Sequence, residues 1–140
     1  MCLNIFRTFK SYFGCNITFV PKESALVGIG GCIGSVARYQ INEWIPSLLG
    51  TFIVNVLGCI AIGFLMYESI YFGAFSRNSR LFLGAGLIGS FTTFSAFATQ
   101  TIEAGLFYGI IFIAANILCG LMGVFIGRQI ILRGRRSWNI

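Results

Sequence analysis

GSFTTFSAF, from Gly89 to Phe97, places four hydroxyl side chains and three phenyl rings inside a stretch that must otherwise cross a membrane. No charge occurs between Leu81 and Ile102, a length close to the ~20 residues that span a hydrocarbon core of ~30 Å. A purely structural span would carry Leu, Ile and Val at these positions. Polar groups at membrane depth are costly unless they face other protein or a wet cavity. The stretch therefore reads as a polar, aromatic seam within a helix bundle, the place where a conduction path would run.

The rest of the chain agrees. Over 140 residues it is 56% hydrophobic and 10% charged, with a mean hydropathy of +0.85, outside the range of a soluble domain. Further charge-free runs extend from Trp44 to Tyr67 and from Ala104 to Gly127, each long enough to span. A shorter run, Ser24 to Ala37, spans only if its helix continues through Arg38 towards Trp44. Taking it as the first span predicts an all-α membrane protein of four transmembrane helices. The net charge of +6 is no nucleic-acid footprint, since the cations sit at span ends and in the tails. The five cysteines form no CxxC and have no histidine to join them, so free thiols are expected and no thiolate metal site.

The predicted organisation has three parts. Residues 1–22 form a basic, Phe-rich arm in which Phe6, Phe9 and Phe13 share a helical face, as in an interfacial helix; a start codon set too far upstream is the alternative. Residues 23–132 form the four-helix domain, and 133–140 a basic tail. Glycines at Gly30/Gly34 and Gly123/Gly127 have the spacing that lets helix backbones approach closely.

The chemistry available at depth is neutral. The four acids, Glu23, Glu43, Glu68 and Glu103, all lie at span ends, whereas proton-coupled transporters need an intramembrane acid. This favours passive flow over coupled transport. There is neither a nucleophile–base pair nor a soluble domain to hold one, so an enzyme is not expected. Asn55, mid-span, offers amide donors that an anion could use in place of water; an interhelical hydrogen bond accounts for it equally well. Asn116 has the same two readings. Phe94 and Phe97 share a helical face beside Thr92, Thr93 and Ser95, and the positive ring edges could meet a small anion. Gly89 and the Thr pair predict a break in the third helix near its middle, because Gly weakens the helix and Thr bonds back to carbonyls. Freed carbonyls at that depth suit a hard cation.

These residues resemble the CrcB/Fluc family of fluoride channels. GGCIGSVARY (Gly30 to Tyr39), GTFIVNVLGC (Gly50 to Cys59), GSFTTFSAF and GLMGVFIG (Gly120 to Gly127) follow the family's patterns in order and in spacing. The resemblance implies an antiparallel dimer in the cell membrane, with fluoride pathways along the subunit interface and passive export of fluoride from the cytoplasm. It implies that Asn55, Phe94, Ser95 and Phe97 line the pathway, with Asn116 where many relatives carry Ser. It also implies that carbonyls of Gly89 and Thr92 hold a structural Na⁺, and that Arg38 is the family's first-span arginine. Ala96 stands where the family usually has Thr, and Phe112 where it often has Tyr.

A small four-helix multidrug or cation transporter is the alternative. It requires a mid-span Glu in the first helix, where this chain has none between Ala25 and Ala37. Charge distribution adds a further expectation. With four spans, nine of the ten cations share the side of the termini and the middle loop, and Arg38 alone is opposite. Lys/Arg bias sets orientation, so both termini are expected in the cytoplasm. A chain so biased cannot readily insert both ways. The antiparallel partner is therefore expected to be a paralogous subunit of opposite bias, a homodimer being the alternative.

Overall fold

The computed structural model describes residues 21–138, with side chains described to residue 134. The arm expected at 1–22 falls almost wholly outside them. Every element among the described residues is helical. Helix α1, Pro21–Trp44, starts on a proline whose missing N–H costs nothing at a first turn and carries Glu23 against the positive end of its dipole. It stops before Pro46, which disfavours helix at the preceding residue. Helix α2, Leu48–Tyr71, ends where Phe72 and Gly73 both donate to the Glu68 carbonyl and Gly73 turns to φ 60°. The buried Glu68 carboxylate takes the next donor, the N–H of Ala74 at 2.8 Å. An acid that looks like a span-end charge is thus part of the turn.

Helix α3 occupies 77–91 in three pieces: an α turn at Arg77–Arg80, a π-wound stretch at Leu81–Ile88 and a last α turn at Gly89–Phe91. The wide winding is visible at its end, where Gly89 N–H reaches the Gly84 carbonyl five residues back. The chain then leaves helical geometry at Thr92, with ψ 155°. It resumes as α4, Ser95–Glu103, and after Gly105, at φ 77°, as α5, Gly105–Trp138. The interruption falls at the Thr pair. Gly89 itself keeps helical angles.

Two close helix pairings build the bundle, α2 with α5 and α1 with the π-wound stretch. Glycine makes both possible. A Cβ on Gly34 would strike the Leu87 carbonyl, and one on Gly86 would lie 2.8 Å from the Val27 carbonyl. Likewise a Cβ on Gly63 would lie 2.6 Å from the Val124 carbonyl, and one on Gly127 would meet the Ile60 carbonyl. Backbone is in contact with backbone there, as small-residue stripes allow in membranes.

Among the described residues, three helical stretches are long and apolar enough to cross a membrane: Leu48–Tyr71, Arg77–Glu103 and Gly105–Gly134. Helix α1 matches them in length but not in hydropathy, because its glycines and the Arg38–Tyr39–Gln40 run dilute the apolar residues. The buried apolar core is small, comprising Val54, Leu65, Ile88, Phe112 and Ile131, while Trp44, Ile102 and Leu106 are at least 80% exposed. Large apolar groups facing outward are the pattern of a protein solvated by lipid or by another subunit.

Candidate functional site

The break at 92–94 is held open by one side chain from another helix. Asn55, in the middle of α2, accepts a hydrogen bond from Thr93 N–H (3.0 Å) and donates its amide to the Thr93 carbonyl (3.2 Å). Both backbone groups would otherwise be orphaned in a buried residue, since Thr93 is 7% exposed. Of the two readings of Asn55, the structure shows the interhelical bond. One amide N–H is left over, and Asn55 still lines the groove described below.

The hydroxyls complete the turn. Thr92 Oγ1 donates back to the Ile88 carbonyl at 3.1 Å, the same oxygen that accepts Thr92 N–H. Thr93 Oγ1 accepts from Ala96 N–H in the first turn of α4 at 3.3 Å, and lies 3.3 Å from Ser95 Oγ. Gly58 makes room from below, because a Cβ there would collide with the Thr92 methyl.

The end of α3 leaves carbonyls without intrahelical partners at the negative pole of the helix. Thr93 N–H, the natural partner of the Gly89 carbonyl, is taken by Asn55. The Thr92 carbonyl receives only a long contact from Arg38 Nη1, at 3.5 Å. Arg38 therefore ties α1 to the break. The Gly89 and Thr92 carbonyls are oxygen donors of the kind a hard cation takes, and two from one chain are fewer than the six or so ligands such ions need.

Phe94, Phe97 and Phe112 form a row of tilted rings, with centroids 5.9 Å and 5.4 Å apart. Phe112 is buried and Phe94 is 79% exposed, so the row leads from the core of α5 to the open surface at the break. Beside it runs a groove of about 680 Å³ that gathers Asn55, Gly89, Thr92, Phe94, Phe97 and Asn116. Ser95 joins through Thr93, and Arg38 through the Thr92 carbonyl. Asn116 donates its amide to the Phe112 carbonyl at 2.9 Å, leaving Oδ1 buried with no partner in the described chain.

Sequence reasoning did not anticipate Gly58, Cys59 and Ile113 on this groove, nor Phe112 as the third ring of the row beside it. The signal for Gly58 lay in its position three residues beyond Asn55 on the same helical face.

A family model described as CrcB-like protein, Camphor Resistance (CrcB), matches residues 25–128, from α1 through most of α5. This chain belongs to the CrcB family. Among CrcB-family relatives, a protein of Methanosarcina barkeri named fluoride-specific ion channel FluC 2 is 40% identical over 112 residues, covering 79% of this chain and 89% of that protein. A FluC 2 of Methanosarcina mazei is 42% identical over 106 residues, covering 76% and 84%. A fluoride-specific ion channel FluC of Dehalococcoides mccartyi is 41% identical over 115 residues, covering 75% and 88%. The CrcB match takes in all the residues of the break and its groove.

Proposed function

We propose that this chain is a subunit of a fluoride channel that lowers cytoplasmic fluoride by passive flow across the cell membrane. The observation that carries the reading is the groove at the broken helix. It is lined by Asn55, which has an amide N–H left over, and by Phe94 and Phe97, with no carboxylate among its lining residues, in a chain whose relatives are named fluoride-specific channels.

Fluoride is small and strongly hydrated, so losing its water must be offset by many short donor contacts. Amide N–H, hydroxyl and positive ring edge provide such contacts without a fixed charge that would trap the ion. Phe94 and Phe97 supply edges, Asn55 an amide proton, and Ser95 a hydroxyl beside Thr93. Asn116 Oδ1 is an acceptor without a donor, which suits a water or a partner hydroxyl at the edge of the path.

The Gly89 and Thr92 carbonyls would hold a Na⁺, which when bound supplies positive charge at the centre of the assembly. Two carbonyls per chain call for a second subunit to complete the shell. The exposed Phe94 and the open groove are consistent with an antiparallel partner seated there. Helix α1 acts as the fourth span, fused to α3 through its glycines, with Arg38 Nη1 3.5 Å from the Thr92 carbonyl. Both termini then lie in the cytoplasm. The cation bias favours a paralogous partner of opposite orientation. Methanosarcina acetivorans, with both a FluC 1 and a FluC 2 among the relatives, is consistent with paired subunits.

The test is reconstitution in liposomes with a fluoride electrode, for the chain alone and with a co-expressed paralogue. Fluoride release without chloride release is expected, and full activity only with the partner. Absence of fluoride release from both preparations would refute the channel. Full activity from the single chain, labelled in both orientations, would refute the heterodimer.

A further inference from the structure

Helix α5 turns one face inward along its length. On it Ile113, Asn116 and Ile117 line the pathway groove, and Gly120, Gly123, Gly127 and Ile131 are buried against the bundle further along. The opposite face carries Met122, Phe125, Ile126 and Ile130, with Gln129 and Arg133 at its end. It forms a shallow groove of about 390 Å³ lined by this helix alone. At about 100° per residue the centre of this stripe lies roughly opposite the Asn116 face. A subunit covering the pathway groove therefore leaves the stripe free. Its apolar residues are each about half exposed, and acyl chains are what such a face meets in a membrane.

Chemistry changes at its C-terminal end. From Arg128 to Arg136 the chain carries four arginines and no acid, and α5 continues as helix through that run to Trp138. Its 34 residues make about 51 Å, well beyond the ~30 Å of hydrocarbon. Arg128 is turned inward over the Tyr67 ring, 5.5 Å from its centroid. Arg133 is exposed, at the mouth of the apolar stripe, and pairs with no carboxylate among the described residues. Arginine clusters just beyond a span attract anionic headgroups. Gln129 and Arg133 also lie past residue 128, where the CrcB match ends.

We infer that the C-terminal half of α5 is a docking site for an anionic phospholipid, its acyl chain along Met122, Phe125, Ile126 and Ile130 and its phosphate at Arg133. The site is independent of fluoride conduction. The experiment takes the intact purified assembly, adds phosphatidylglycerol or phosphatidylcholine, and counts bound lipid by native mass spectrometry. Phosphatidylglycerol is expected to bind more tightly, and Arg133→Gln to weaken it about five-fold, the worth of one arginine at a charged surface. Arg133→Lys should keep most of the preference. Ile126→Asn should weaken both lipids, because it spoils the chain contact common to them. Arg77→Gln, which removes an exposed cation on α3, should change nothing. Equal binding of the two lipids by the unmodified protein would overturn the proposal. So would equal losses in Arg133→Gln and Arg77→Gln, which would mean diffuse attraction. A change of oligomeric state in Ile126→Asn would assign the stripe to a second copy instead.

Discussion

Replacing Asn55 by leucine separates two roles that one side chain combines. The amide closes two hydrogen bonds on the backbone of Thr93, at 3.0 Å and 3.2 Å, and Thr93 is buried. Leucine fills similar space but leaves an N–H and a C=O without partners. Each orphaned group costs roughly 1–3 kcal/mol, so the variant should lose about 2 to 6 kcal/mol, concentrated at the break. Asn55→Asp is informative beside it. It still accepts from Thr93 N–H but sets a carboxylate against the Thr93 carbonyl, and it adds a negative charge to an anion path. Thermal unfolding in detergent reports the clasp, and fluoride efflux from liposomes reports the path. Both should fall together in Asn55→Leu. A leucine variant as stable as the parent would refute the clasp, and one that also conducts normally would remove Asn55 from the pathway altogether.

Gly34→Ala should destabilise by about 1–3 kcal/mol, because its Cβ would meet the rigid Leu87 carbonyl, whereas Gly28→Ala, with nothing within 4 Å, should be neutral or slightly stabilising; thermal unfolding of the pair checks this. Phe94→Ile should leave stability nearly unchanged, since that ring is exposed, yet sharply reduce fluoride efflux. Phe97→Ile should reduce efflux and also lose about 0.5–1.5 kcal/mol of ring contact with its neighbours. Normal flux in both would make the pair packing alone. If the Gly89 and Thr92 carbonyls hold Na⁺, activity should require Na⁺ during assembly, while an imposed Na⁺ gradient should not steer the flux; flux that follows the gradient would point to coupled transport.

Much of this protein is legible from residue order because lipid imposes few solutions. Long charge-free runs without strand alternation become helices, since no water satisfies their backbone groups; the run from Leu81 to Ile102 lies within the span Arg77–Glu103, and the run from Ala104 to Gly127 lies, but for its first residue, within Gly105–Gly134. The third-helix break was legible at the Thr pair, whose side chains compete for the helix carbonyls, whereas Gly89, the other half of that reading, keeps helical angles. The partners were not. Nothing in the spacing of Asn55 and Thr93 says that they clasp across 38 residues of sequence, or that Arg38 reaches the carbonyl of Thr92. The first depends on how α2 passes the break and the second on how closely α1 meets the π-wound stretch, which glycine permits but does not dictate.

Residue order is enough to make the chain helical, lipid-facing and polar at one depth, because hydropathy and local backbone preference are properties of short segments. The roles of the polar groups come from packing between helices. That packing gave Asn55 a backbone to hold, set Phe112 behind Phe97 as a third ring, and turned Arg128 inward while leaving Arg133 outside. Each of these depends on the rotation of one helix about its axis relative to another. That rotation is set by packing summed over the whole contact, and no local stretch of sequence carries it.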